Sequence, residues 1–190
     1  MSLILITPPE AEPLSLADAK HFLRVEHDYD DELIAALIAG ARGHVEAATR
    51  RALMSQTWRL TLDAWPRHGR ITVLLAPLRE VVAAQVYDAA GLPRTIDPET
   101  FVVDAAASPG VIAFPPWVVA APERSLAGIE IDVAAGYGEA AEDVPQPLLH
   151  AIRLLVAHWY ENRGVTTEAG AQPMPAGVAP LIAPFRGIAL

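Results

Sequence analysis

Hydrophobic residues near the N-terminus recur at helical spacing in two segments. In residues 10–25, Ser15 occupies a position that suits an N-cap, and Asp18 follows three residues later, as in a capping box. A longer helix is predicted over residues 31–50, where apolar side chains return every three or four positions. Its apolar positions are Ile34, Leu37, Ile38, Ala41, Val45 and Ala48. Two N-terminal helices joined by a short polar connection are therefore expected.

From residue 56 onward the pattern changes from helical spacing to alternation. Trp58, Leu60 and Leu62 alternate with polar side chains, which is typical of a strand with one buried face. Clusters of proline, glycine and aspartate then separate further apolar segments, as turns between strands do. The additional candidate strands are 70–76, 80–88, 100–104, 110–114 and 128–134. The pattern predicts an antiparallel β-region of short strands over residues 56–135.

Helical spacing returns after the β-region. Pro145 suits the start of a helix and Gly164 suits its end. One broad apolar face is formed by Leu148, Leu149, Ile152, Leu155, Val156 and Trp159. We therefore predict an α+β fold with a helical core (residues 10–55 and 145–163), an inserted antiparallel β-region and an extended C-terminal arm. Residues 1–164 are expected to form a single domain and residues 165–190 the arm.

The predicted arm is rich in proline and glycine but also carries hydrophobic side chains. The prolines argue against a helix, and the hydrophobic residues argue against a solvated linker. An arm that docks on a partner explains both features; an arm packed on its own subunit, or a frayed tail, is the alternative. The candidate docking residues are Leu181, Ile182, Phe185, Ile188 and Leu190.

Composition narrows the classes of function. Hydrophobic residues make up 52% of the 190-residue chain, enough for a core, but no uninterrupted apolar run reaches about 18 residues, so no membrane partner is expected. The apolar N-terminus lacks a basic segment and is interpreted as an extended arm rather than a signal peptide. The chain has no cysteine, which excludes disulfides, thiolate zinc sites and cysteine nucleophiles.

The charge pattern argues against tight binding of DNA. The formal net charge is −9, and the arginines are scattered rather than gathered in a basic patch. The densest acidic segment could suggest calcium, but Leu33 and Ala39 stand where an EF-hand loop needs glycine and glutamate. Helix capping is the preferred interpretation of these acids. They are Glu26, Asp28, Asp30, Asp31 and Glu32.

No motif for catalysis or for a cofactor is found. No two histidines have the i, i+4 spacing of a helical zinc site, and no serine lies in a G-x-S-x-G motif. The phosphate-binding loop is absent, and Gly136-Tyr137-Gly138 is interpreted as a turn after a strand. We predict no catalytic residue, no cofactor and no metal, although a site assembled by folding from distant segments stays open.

Three ordered segments resemble the head–tail connector, or adaptor, family of tailed phages, prophages and phage-like gene transfer agents. The first contains residues 14–25 and 30–34; the second contains Val45-Glu46, 49–53 and 56–58; the third contains 135–138, Val144-Pro145, Leu148 and 158–163. The resemblance covers residues 8–163. It implies a non-enzymatic structural protein without a cofactor. Small members are almost wholly helical, so the β-region marks a longer member.

The resemblance also implies a place and a set of partners. The expected assembly is a closed ring of about twelve copies beneath the portal, in the neck of a particle whose proteins are made in a bacterial cytoplasm. Partners would be other copies of the chain, the portal protein, tail-side neck proteins and passing DNA that is not tightly bound. Because an acidic lining lets a polyanion slide, the five acids of residues 26–32 are candidates for the channel face. Alternatives are another neck or tail-completion protein, or an enzyme with an unrecognised site.

Overall fold

The computed structural model describes residues 1–162 and 175–187, and its fold is α+β as predicted. The helices in this part of the chain are α1 (Leu16–Leu23), α2 (Asp31–Thr49), α3 (Gln146–Glu161) and α4 (Val178–Ile182). The strands are β1 (Ser2–Thr7), β2 (Gln56–Leu62), β3 (Arg70–Val73), β4 (Leu78–Tyr87), β5 (Pro93–Ile96), β6 (Val102–Asp104), β7 (Gly110–Ala113) and β8 (Ile129–Ala135). No helix among these residues is long and apolar enough to cross a bilayer.

The residues form two compact units. A helical unit is drawn from Ala11–Met54 and the described part of Gly138–Arg186, and a β unit is drawn mainly from Met1–Glu10 and Ser55–Tyr137. The β unit thus interrupts the helical unit in sequence between α2 and α3. The assignment of residues 1–164 to a single domain stays a prediction.

The start of α1 shows how local sequence fixes a helix boundary. Ser15 Oγ accepts a hydrogen bond from the backbone N–H of Asp18 at 3.0 Å, which confirms the predicted N-cap. The helix therefore begins at Leu16, later than the predicted residue 10, because the capping bond and Pro13 keep the preceding segment out of the helix. It ends at Arg24, which adopts a left-handed conformation with φ of 58°.

The core of the helical unit lies between α2 and α3. The predicted apolar stripe of α2 is buried at Ile34, Ile38, Ala41 and Val45. The facing stripe of α3 is buried at Leu148, Leu149, Ile152, Leu155 and Val156. At the C-terminal part of α3, the half-buried ring of Trp159 meets the His44 ring edge-on at a centroid distance of 6.0 Å. The expected packing of Trp159 against the second helix is therefore confirmed.

Gly138, in the third segment of the family resemblance, occupies a position where a larger residue would not fit. A Cβ atom on Gly138 would collide with the carboxyl group of Asp143. That carboxyl group is held in place because its Oδ2 accepts the backbone N–H of Ala140 at 3.1 Å. Glycine is therefore required for this close approach between chain and side chain.

Two antiparallel sheets make up the β unit. The larger sheet has the order β1-β2-β8-β4-β5, and the smaller has the order β3-β7-β6. β8 lies in the middle of the larger sheet, and every second residue along it is fully buried. These core residues are Ile129, Ile131, Val133 and Ala135, with Leu60 of β2 paired opposite Ile131.

Two strands of the larger sheet were not predicted from sequence. The N-terminal segment, expected to be an extended arm, is strand β1 and pairs antiparallel with β2, with Leu3 opposite Leu60. The short strand β5 follows a turn and pairs with β4, with Thr95 opposite Gln85. These two strands form the two ends of the five-stranded sheet.

Candidate interaction surfaces

The acidic segment between α1 and α2 is organised around the only lysine of the chain. Lys20 Nζ donates to Asp28 Oδ1 and to Asp31 Oδ1, each at 2.6 Å. The hydrogen bond to Asp28 raises the pKa of Lys20, and the bond to Asp31 adds to it. The same lysine hydrogen bond lowers the pKa of Asp28 below its usual value. The ammonium group thus joins two acids that lie three residues apart.

A second acid of this segment is tied to α3 rather than used as a helix cap. Asp30 occupies the N-cap position of α2, but its side chain makes no capping bond. Its Oδ2 accepts a hydrogen bond of 2.6 Å from the Tyr160 hydroxyl instead. The capping interpretation is therefore wrong for Asp30, because a tertiary partner occupies the carboxylate. Asp31 and Glu32 do lie in the first turn of α2, where negative charge is favoured.

The exposed face of the acidic segment consists of Glu26, Asp28 and Glu32. Asp30 and Asp31 are half-buried. Their spacing does not form a cation site: in the described ranges, 1–162 and 175–187, no three His, Cys, Asp or Glu side chains are grouped as metal ligands would be. The segment therefore offers an acidic surface whose inner members are held by Lys20 and Tyr160.

An arginine in α2 fixes the chain on both sides of the helix. Arg42 Nε donates to Glu12 Oε2 at 2.7 Å, and Arg42 Nη1 donates to Glu46 Oε2 at 2.8 Å. Burial acts to lower the pKa of Arg42, but the hydrogen bond with Glu12 and the charges of both glutamates outweigh it and raise that pKa. Glu46 Oε1 also accepts the backbone N–H of Leu53 at 2.8 Å. This cluster ties the segments before α1 and after α2 to one rigid helix.

The C-terminal segment is anchored within its own helical unit. Val178 and Ile182 of α4 are fully buried, and α4 packs against α3. Arg51 Nε donates to the backbone oxygen of Phe185 at 2.8 Å, and its guanidinium lies 5.9 Å from the Phe185 ring centroid. Leu181 and Phe185 are half-buried. Ile188 and Leu190 lie outside the described residues.

The expectation that the prolines of the C-terminal segment exclude a helix is wrong for residues 178–182, which form α4. Pro180 lies in the first turn of α4, and Pro184 lies in a short 3₁₀ turn at Ala183–Phe185. The first N–H groups of a helix have no intrahelical acceptor, so proline removes no hydrogen bond there. For Ile182 the structure corresponds to the alternative of an arm packed on its own subunit. Leu181 and Phe185 keep exposed surface that a partner could contact.

The outer face of the five-stranded sheet carries a polar network. Arg59 donates to both oxygens of Asp132, at 2.7 and 2.8 Å, and also lies 3.1 Å from a carboxylate oxygen of Glu130. These bonds, with that to Asp132 first, raise the pKa of Arg59. The Tyr87 hydroxyl donates to Glu130 at 3.0 Å, and burial together with this bond raises the pKa of Tyr87. Arg59 is therefore committed to two carboxylates of its own subunit, Asp132 and Glu130.

Sequence analysis missed a group of exposed apolar side chains on the β unit. Trp117 is 85% exposed, and it lines an open depression with Val102 of β6 and Arg70 of β3. The alternation along β6 predicts that Val102 and Asp104 share one face of the strand, but it does not predict which of the two faces is buried. Pro115-Pro116-Trp117 lies in a loop, where no periodicity exists to reveal exposure.

A second open depression bears on the possibility of an enzyme. It is lined by acids and cations, including Asp63, Arg67 and Glu123. Both carboxylates already accept hydrogen bonds from the backbone. Asp63 accepts one from the N–H of Ala127 at 2.7 Å, and Glu123 accepts one from the N–H of Ala89 at 3.1 Å. These carboxylates hold loops, which is a structural use of their charge.

Comparison with known proteins shows which proteins this chain is similar to. The family model described as phage gp6-like head–tail connector protein matches residues 13–88. This range contains α1, α2, β2, β3 and β4. The resemblance to the head–tail connector family predicted from sequence is therefore confirmed. No curated protein sequence matches the chain significantly.

Three chains in solved structures of gene transfer agent (GTA) particles have folds similar to this chain over its whole length. A chain in the neck of an empty GTA particle, computed with C6 symmetry, is 28% identical with a TM-score of 0.83. A chain in the virion of a native particle is 27% identical with a TM-score of 0.82, and one in the native neck computed with C12 symmetry is 28% identical with a TM-score of 0.81. Each match covers 100% of this chain and 97% of the other.

Proposed function

We propose that the protein is a structural subunit of the neck of a phage-like particle, where it joins head to tail. The observation that carries this proposal is the match with GTA neck chains over 100% of this chain and 97% of theirs, at 28% identity. A match of this extent includes the β unit as well as the helices. The proposal therefore concerns the whole chain and not only the connector family's residues 13–88.

The finer arrangement that we propose is a closed ring of about twelve copies beneath the portal. The C12 symmetry of the native GTA neck supports a ring, since cyclic symmetry requires each copy to present two different surfaces to its neighbours. Portal protein above and tail-side neck proteins below are the expected partners. The half-exposed Leu181 and Phe185, together with Ile188 and Leu190, are the proposed contact with one of them, whereas Ile182 anchors the segment.

The ring is also proposed to surround DNA without holding it. Glu26, Asp28 and Glu32 are exposed, and the chain has a net charge of −9. An acidic or mixed lining repels phosphates, whereas a basic lining would bind them through counterion release. Asp30 and Asp31 support this surface from behind because Tyr160 and Lys20 fix them.

The order of elements favours a connector over a tail-completion protein. Two helices precede the main β-region and a third follows it, whereas β-rich tail-completion folds are expected to have different flanking helices. The enzymatic alternative is weakly supported, since the carboxylates at the larger open depression hold loop backbones. We therefore propose a mechanical role without catalysis.

Cryo-electron microscopy of intact particles from a producing strain tests the proposal. The chain should account for density between portal and tail in about twelve copies per particle. A strain lacking the gene should accumulate filled or empty heads without tails, and the gene supplied in trans should restore tailed particles. Density elsewhere in the particle, a single copy, or normal tailed particles without the gene would contradict the proposed function.

A further inference from the structure

Strand β1 is an open sheet edge with little protection: its pairing with β2 is irregular between Leu5 and Thr7, but residues 2–5 form a regular edge. It occupies one end of the five-stranded sheet, and its sequence Ser2–Thr7 contains no charged residue and no proline. Ile4 is 52% exposed, and Leu5 and Ile6 are also exposed. Native proteins usually protect edge strands with charges, proline, bulges or a covering segment, because unpaired N–H and C=O groups invite another strand. The regular, uncharged aliphatic edge at residues 2–5 therefore indicates a strand that is covered in the assembled state.

We propose that β1 of one copy pairs with β5 of the neighbouring copy, so that the five-stranded sheet continues from subunit to subunit around the ring. This inference rests on the proposed function, because it requires a ring of identical chains. It names the contact that closes that ring. Main-chain hydrogen bonds of this kind are the basis of recognition by strand addition.

Strand β5 is the proposed acceptor because it is the opposite end of the same sheet. A cyclic ring needs a heterologous contact, in which one surface of each copy meets a different surface of the next. The two ends of one sheet satisfy this requirement directly. Pro93, Arg94 and Thr95 of β5 are exposed, and Ile96 is half-buried, so the outer side of this strand is accessible. N–H groups alternate between the two sides of a strand, and Tyr87 N–H is bonded to Gly128, so the N–H groups of Arg94 and Ile96 face β4. Pro93 lacks an N–H group, which leaves Thr95 as the outward donor, with the carbonyl groups of residues 93 and 95 as outward acceptors. Pro93 and Arg94 limit pairing at this edge, so the junction is expected to be short.

The directions of the strands are compatible with this contact. All neighbours in the sheet are antiparallel, so β1, β8 and β5 run in the same direction. Rotation about a ring axis along the strands preserves that direction, and β5 would meet the next β1 as a parallel pair. A short parallel pair is weak on its own, so we expect the junction to form only where closure of the ring adds further contacts.

The charges are compatible as well. Although the chain carries a net charge of −9, β1 has no charge and β5 has only Arg94. The side chain of Arg94 lies 3.9 Å from Asp88 and 3.7 Å from Glu123 in its own subunit. The proposed junction thus brings together two edges that do not repel each other.

The absence of cysteine provides a direct test. Ile4→Cys is combined with a cysteine at one of positions 94, 95 or 96, and assembled particles are oxidised and separated on a non-reducing gel. Within one subunit β1 and β5 are separated by three strands, about 19 Å at the usual spacing, which is too far for a disulfide. At least one pair should give a ladder of cross-linked copies extending beyond the dimer.

The single-cysteine variants distinguish the competing contacts. Dimers from Ile4→Cys alone would show that β1 pairs with β1 of another copy, a two-fold contact that overturns the proposal. Particles that contain the chain but give no ladder with any pair would overturn it too, since β1 would then be covered by another protein. Absence of the unmodified chain from particle necks would instead overturn the proposed function.

A matched pair of substitutions gives a second measurement. Ile4 lies opposite Arg59 in β2, so Ile4→Glu places a carboxylate beside an arginine while putting a charge on the open edge. Ile4→Thr keeps a β-branched, uncharged residue there. Both variants should show the circular dichroism and thermal unfolding of the parent, but Ile4→Glu should be lost from particles while Ile4→Thr is retained. Equal incorporation of the two would contradict the strand junction.

Discussion

The hydroxyl group of Tyr160 in α3 donates a hydrogen bond of 2.6 Å to Oδ2 of Asp30 at the start of α2. The two residues are 130 positions apart, with the main segment of the β unit, Ser55–Tyr137, between them in sequence. This bond therefore joins the N-terminal and C-terminal parts of the helical unit. It also aims one carboxylate of the acidic segment inward while Glu26 and Glu32 remain exposed.

Removing this hydroxyl should destabilise the helical unit. Tyr160→Phe keeps the ring but leaves the half-buried Asp30 carboxylate without the donor, so we expect a loss of about 1–2 kcal/mol in the free energy of unfolding. Tyr29→Phe is the matched control, since Tyr29 is 93% exposed and should change stability little. Urea unfolding of both variants measures the difference. Equal stabilities would show that the bond contributes nothing.

Lys20 should make the acidic segment sensitive to pH. The hydrogen bond from Lys20 lowers the pKa of Asp28, so the stabilisation is complete above the usual carboxyl pKa and is lost as the pH falls through the lowered value. In Lys20→Met, the Asp28 carboxyl should titrate at higher pH than in the parent. Lys20→Arg keeps the positive charge and should retain much of the shift. NMR titration of the Asp28 side-chain carboxyl carbon makes the comparison, and an unchanged titration in Lys20→Met would refute it.

The ring of Trp159 should contribute to stability in proportion to its partial burial. It packs against the edge of His44 and lies 3.6 Å from the position of a Cβ on Gly40. Because the ring is half-buried, Trp159→Ala is expected to cost about 2–3 kcal/mol, less than a fully buried tryptophan. Trp117→Ala removes an equally large but exposed ring and should cost less than about 0.5 kcal/mol. A loss below about 1 kcal/mol for Trp159→Ala would contradict this packing.

The C-terminal segment should separate stability from assembly. Ile182 is fully buried and Phe185 is half-buried, so Ile182→Ala should lower stability by about 2–4 kcal/mol, while Phe185→Ser should cost less. If the segment also contacts a partner, Phe185→Ser should reduce incorporation into particles more than its modest instability explains. Leu126→Ser, at an exposed position of the β unit, is the control for adding a polar side chain. Normal incorporation of Phe185→Ser would remove Phe185 from the docking surface.

The fold was predictable where one local pattern determined the structure. The helical spacing of residues 31–50 matches α2 closely, and the alternation at Trp58, Leu60 and Leu62 gives β2. Strand β1 was not predictable as a strand, because its pairing partner β2 lies more than 50 residues away in sequence. Strand β5 has only four residues, too few for a period to be recognised.

The interaction surfaces were less predictable than the fold. Asp30 has the sequence context of a helix cap, and only the tertiary position of Tyr160 reveals its actual partner. Ile182 and Leu181 are adjacent and similarly apolar, yet one is buried and the other half-exposed. A sequence pattern shows that such residues need a surface, whereas the packing of α4 on α3 decides which of them still has surface to offer.

The charge of the proposed channel should govern its interaction with DNA. The unmodified protein, with a net charge of −9 and exposed acids at Glu26 and Glu32, should show no measurable binding to duplex DNA near physiological salt, where screening leaves net repulsion. Changing both acids to arginine should slow the release of DNA from particles, because arginines in a channel would hold phosphates. The same two-residue reversal at Glu99 and Asp104, exposed residues of the β unit, alters the net charge equally and serves as the control.

Fluorescence anisotropy measures binding, and the rate at which DNA becomes sensitive to nuclease measures release. Micromolar, salt-sensitive binding by the unmodified protein would contradict a non-binding channel, and equal release rates from both reversed variants would remove residues 26–32 from its lining.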